Sequence, residues 1–138
     1  MRVVHSLLFL LAAVLAAPGM VAARGGAPVQ NYENVLAENS NGKPLTAEQV
    51  RKAIIAGASR ARWAASTKLG NVVRLTYSRG NHVAVVEATY SAKSYSIHYA
   101  DSTNLNYDQE RSGGVIHPNY NKWVNSLRQA IDVALRAA

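Results

Sequence analysis

Ser66, Arg74, Glu87 and His98 are the residues of this chain whose types could combine into a reactive or recognising group. A carboxylate set between a guanidinium and an imidazole orients the histidine and raises its pKa. The same contacts also serve ordinary cross-strand pairing, worth roughly 0.2–1 kcal/mol per pair. A second group is polar and nearly contiguous: Asp101, Ser102, Asn104, Asn106, Tyr107 and Asp108, bordered by His117, Asn119 and Asn121. Such a density of hydrogen-bonding groups suits a sugar or a peptide, although Asn, Asp and Ser are equally the residues of turns and helix caps. Arg74, Glu87, His98, Asp101, Asn104, Tyr107 and His117 are therefore the candidate binding residues. Val83 and Val85 join them as the apolar part of the same surface.

Sharper chemistry has no signature here. His82, His98 and His117 are far apart and show no paired spacing, so no metal site is expected. The sequence carries no Gly-x-Ser-x-Gly elbow, P-loop or dinucleotide fingerprint, and no cysteine nucleophile. No catalytic residue and no cofactor is assigned. An enzyme would have to use His98 or His117 as its base.

The elements that hold these residues follow from periodicity. Thr46-Ala47-Glu48-Gln49 has the form of a capping box. Val50, Ala53, Ile54 and Ala58 follow at helical spacing, which predicts a helix over 47–60. Four alternating segments come next, about 62–68, 72–78, 83–90 and 95–100, with turns at Gly70-Asn71, Gly80-Asn81 and 91–94. Short turns between alternating segments predict a sequential antiparallel meander. One register puts Trp63, Ala65, Leu75, Tyr77, Ala84, Val86, Ala88, Ile97 and Tyr99 on one apolar face. That register aligns Ser66, Arg74, Glu87 and His98 in a row on the other face, beside Ala64, Val83, Val85 and Ala100. An apolar strip on a solvated face predicts cover by the N-terminal segment, by the long loop, or by another chain, a homodimer included.

Residues 101–116 read as a long loop. Pro118, with His117 as cap, opens a second helix over about 118–136, with Tyr120, Trp123, Val124, Leu127, Ile131 and Leu135 on one stripe. The expected fold is α+β: a two-layer sandwich of order αββββα, a four-stranded meander with two helices on one face. Residues 45–138 make its single domain.

Ahead of that domain, residues 24–44 read as a flexible tether, and Tyr32, Val35 and Leu36 are its only candidates for docking on the domain. Residues 1–23 have the order of a secretory signal: Arg2, an apolar run over 7–17, Pro18-Gly19, and small residues at Val21, Ala22 and Ala23. The run is about half of the roughly 20 residues that cross a bilayer, so no transmembrane anchor is expected. The chain has 15 Lys and Arg against 8 Asp and Glu, a formal charge of +7; losing Arg2 with the signal leaves +6. That balance favours anionic partners, and export makes nucleic acid an improbable one.

Tyr95-Ser96-Ile97-His98-Tyr99, Asp101-Ser102, Asn104-Leu105-Asn106-Tyr107 and Ile116-His117-Pro118-Asn119-Tyr120-Asn121-Lys122-Trp123-Val124 carry a family resemblance. Over most of residues 45–135 the chain resembles a group of small exported proteobacterial proteins, many of them hypothetical proteins or putative lipoproteins. The resemblance implies a Gram-negative envelope location and leaves the activity open. With no cysteine, this chain departs from the lipoprotein members, so lipid anchoring does not carry over. The expected function is a non-enzymatic periplasmic or secreted module that binds a protein, a peptide or an anionic envelope glycan. The alternative is a small secreted inhibitor or immunity-type protein.

Overall fold

The computed structural model describes residues 26–138. The expected signal segment, 1–23, lies outside the described residues. Seven strands and two helices follow one another as β1 (Ala27–Pro28), β2 (Tyr32–Leu36), α1 (Ala47–Arg60), β3 (Ala64–Thr67), β4 (Val72–Arg79), β5 (His82–Tyr90), β6 (Ser94–Thr103), β7 (Val115–Ile116) and α2 (Pro118–Arg136). The class is α+β, with the helices packed on each other, but the main sheet has five strands where four were expected. Its order is β2-β6-β5-β4-β3 with every neighbour antiparallel, and β1 pairs with β7 in a separate two-stranded sheet.

Both helices begin where their caps dictate. Thr46 Oγ1 accepts from the Gln49 amide at 3.1 Å, and the Gln49 side chain accepts from the Thr46 amide at 2.9 Å, which satisfies two otherwise orphaned donors. In α2, Nδ1 of His117 accepts from the Asn119 amide at 3.1 Å, and Pro118 has no amide to leave unpaired. Val50, Ala53, Ile54 and Ala58 of α1 and Tyr120, Val124, Leu127, Ile131 and Leu135 of α2 are buried in one cluster. It includes Val73, Leu75, Ala84, Val86, Ala88, Tyr95 and Ile97 of the sheet. Gly57 sets the closeness of the helices: a Cβ there would stand 2.6 Å from the Ile131 backbone. Trp63, Tyr77 and Trp123 form a line of aromatic contacts, with ring centroids 5.4 and 5.0 Å apart, and so lock the sheet to α2.

The three hairpins hold the register expected from the apolar pattern, with Ala65 opposite Leu75, Leu75 opposite Val86 and Ala88 opposite Ile97. The register shifts once. Val86 pairs with Tyr99 but Val85 pairs with Asp101, so Ala100 is the extra residue of a β-bulge. After the bulge β6 runs on to Thr103, three residues into what read as loop.

The segment read as a tether contributes strands β1 and β2. Tyr32 pairs with Ile97 and Val35 with Tyr95, across a bulge in which Asn34 has φ 49°. Asn121 of α2 holds the chain just before β2: its side chain accepts from the Gln30 amide at 3.0 Å and donates to the Pro28 carbonyl at 2.9 Å. Further along, the Ser40 amide and hydroxyl both donate to the Arg136 carbonyl, at 3.0 and 2.7 Å, and so satisfy a carbonyl at the C-terminus of α2. Residues 28–40 are thus fastened along the length of that helix.

Candidate functional site

The row expected across the outward face forms. Ser66 stands opposite Arg74, Arg74 opposite Glu87, and Glu87 opposite His98, all turned away from the buried core. Its contacts differ from the expected ones. Glu87 Oε1 accepts from Lys68 Nζ at 2.9 Å and from Arg74 at 3.2 Å. The hydrogen bond from Lys68 comes first in holding the Glu87 carboxyl below the usual range, the two positive charges add to it, and partial burial opposes it. His98 is met by a different carboxylate: its Nε2 contacts Oε1 of Glu33, which β2 brings to the edge. The expected guanidinium–carboxylate–imidazole relay is therefore two separate pairs. Glu33 was missed because its strand was not anticipated.

Val83 and Val85 lie beside the row as expected, but Ala100 does not join them in register. The bulge sets both Ala100 and Asp101 against Val85. Val85 is only 7% exposed, so the apolar strip open to solvent is narrower than the pattern implied. Among the described residues the N-terminal segment builds β1 and the edge strand β2, and the end of the long loop pairs with β1 as β7.

Most of the polar loop residues are committed to holding the loop. Asp101 accepts from the neighbouring Ser102 amide at 2.8 Å. The Asn104 side chain donates to the Asn81 carbonyl at 2.7 Å, and the Asn104 carbonyl lies 2.8 Å from Nδ1 of His82, which ties the loop to the β4–β5 turn. Tyr107 stacks on Tyr99 at 4.1 Å, and Tyr99 meets Tyr120 edge-on at 5.7 Å. His117 caps α2, and its amide donates to the Leu105 carbonyl at 2.8 Å. Leu105, at 2% exposure, is the loop's apolar plug. Asn104, Tyr107 and His117 thus belong to the loop and the helical side, whereas Arg74, Glu87, His98, Val83, Val85 and Asp101 stay together on the sheet.

Two hollows of about 540 and 520 Å³ flank the exposed Leu36. Leu45, Pro44, Lys43 and Lys93 line the first; Arg128, Asp132 and Arg136 line the second. Neither includes a residue of the outward row. Among the described residues no three His, Asp or Glu side chains gather as metal ligands, and no helix is long and apolar enough to cross a membrane. Compared with family models, curated proteins and solved structures, the chain matches none of them.

Proposed function

We propose that this chain is an exported, non-enzymatic interaction module, and that the outward face of its sheet meets a macromolecular partner: a protein, a peptide or an anionic envelope glycan. Both helices serve one face, a two-layer arrangement, and no helix packs on the other among the described residues. The observation that carries the reading is the row of paired charges laid across that face. Paired charges fix its side chains in advance, with Lys68 and Arg74 on Glu87 and His98 on Glu33, so little rotamer freedom is lost on contact. The two hollows beside Leu36 lie away from this face, and concave sites of that kind are the ones that suit small molecules. Export rests on the order of charge, apolar run and small residues in 1–23.

A photo-reactive amino acid at Val83, compared with one at Lys52 on α1, tests the reading in envelope extract. A discrete adduct from position 83 and none from position 52 is the expected result. Equal labelling at the two positions, or none at 83, overturns it.

A further inference from the structure

The β3 edge of the sheet is unoccupied by any part of the described chain. All four of its residues, Ala64-Ala65-Ser66-Thr67, are exposed and uncharged. The Lys68 amide donates to the Val72 carbonyl at 3.1 Å, which makes that opposing pair a hydrogen-bonded one. Opposing pairs alternate along an antiparallel ladder, so Ser66–Arg74 and Ala64–Thr76 are hydrogen-bonded as well. Ala65 and Thr67 then direct their amides and carbonyls away from β4, into solvent. Two adjacent rungs stand open, enough for four backbone hydrogen bonds to an added strand.

The surroundings of this edge specify its occupant. Arg60 and Arg62 stand where α1 hands over to β3, and Arg79 ends the neighbouring strand at the same corner; all three are exposed. Among the described residues none of the three lies in an ion pair with a carboxylate. Lys68 follows the strand at its other end, and beside it Leu69 is 98% exposed, an apolar side chain with nothing over it. From this geometry we infer that β3 takes up an extended acidic peptide as an antiparallel sixth strand, with its carboxylates toward the arginine corner and an apolar residue against Leu69. Backbone bonds along an edge supply affinity in such an addition, and the flanking side chains supply selection. A second copy of this chain fits poorly. Antiparallel pairing through β3 would lay the Arg62 end of each copy against the Lys68 end of the other, like charge on like. The formal charge of +6 that each chain keeps without Arg2 adds to that repulsion.

This edge is distinct from the Val83–Val85 face, so its test can fail independently of the proposed face. The probe is a fluorescent heptapeptide of alternating Glu and Val, titrated into the full-length processed protein and followed by anisotropy. A Lys–Val counterpart and a copy N-methylated at alternate residues serve as controls. Expected are saturable binding of the acidic peptide alone and weakening as salt is raised. N-methylation should weaken it by about tenfold or more, since it removes hydrogen bonds while leaving the protein untouched. Ala65→Pro should weaken binding to a similar extent, because its amide faces solvent and the ladder to β4 is kept. The double variant Arg60→Gln, Arg79→Gln should weaken the acidic peptide only. Equal binding of the Lys–Val or N-methylated peptide overturns the inference, as does a protein that pairs with itself through β3 in sedimentation. Loss of binding in Val83→Glu with Ala65→Pro unaffected also overturns it, and would return the peptide to the outward face.

Discussion

The two edges of the five-stranded sheet are built in opposite ways. On the β2 side, Tyr32 and Val35 both reach the core; the Tyr32 hydroxyl donates to Asn125 at 3.2 Å, and the Arg128 guanidinium lies 5.3 Å over its ring. A bulge, a left-handed Asn34 and the charged Glu33 disrupt that strand as a template for further pairing. On the β3 side, four small exposed residues continue a regular ladder, with no bulge and no charge within the strand. Among the described residues its protection is shortness and Lys68 just beyond its end. One edge is thus closed by the chain's own N-terminal segment, and the other is open. An edge closes when its side chains reach the core; one whose side chains stop at the surface stays available.

Amide exchange should separate the edges most widely. The Asn34 amide donates to Ser96 Oγ at 2.9 Å and the Ala37 amide to the Lys93 carbonyl at 2.9 Å. These two should exchange about 100-fold or more slowly than the amides of Ala65 and Thr67. Comparable protection at all four positions in dilute protein would mean that the β3 edge is covered. Charge insertion gives the next largest contrast. Val35→Asp should cost about 2 kcal/mol in urea denaturation, because a half-buried apolar contact becomes a charge against the core. Ala65→Asp should stay within about 0.5 kcal/mol. Equal losses would break the comparison.

The closed side has its own weak point. The Tyr120 hydroxyl, under Tyr99 of β6, is buried with no hydrogen-bond partner, and burial drives its pKa well above the usual phenol range. Tyr120→Phe should leave thermal stability unchanged or raise it by up to about 1 kcal/mol, since an unsatisfied group is removed without leaving a cavity. A clear loss would show that the hydroxyl is satisfied in solution. The smallest effect concerns the pair Lys68–Glu87, which ties the end of β3 across β4 to β5. Its carboxyl pKa is lowered in the folded state, so its contribution is complete above the unfolded value of about 4.3 and is lost as pH falls through the folded value. Glu87 is about one-third exposed, which limits the contribution to about 0.5 kcal/mol. Glu87→Gln should therefore be slightly less stable than the parent at pH 7 and converge with it as pH falls through the lowered folded value. A gap that widens on acidification would reverse the assignment.

How much of this could be read beforehand differs from segment to segment. The capping box, both helices and the three hairpin registers follow from side chains that repeat with period 3.6 or 2, and each repeat specifies a face without help from distant residues. The row Ser66, Arg74, Glu87 and His98 was legible for the same reason. β2 was not, because its bulge puts Tyr32 and Val35, three residues apart, on the same face, a spacing that departs from the strand period of two. The structural parts played by Asn104 and His117 were not legible, because they find their partners in a distant turn and in the first turn of α2, contacts that local composition does not reveal.

By itself, then, the sequence determined the α+β class, the helix boundaries, the face each meander strand turns to the core, and the positive charge that favours anionic partners. Tertiary structure alone decided which carboxylate meets His98, which polar residues are consumed in holding the loop, and which edge of the sheet is closed. The physical reason is range. Periodicity and capping act within a few residues, whereas Glu33 reaches His98 and Asn121 reaches Pro28 only after the N-terminal segment has been laid along α2.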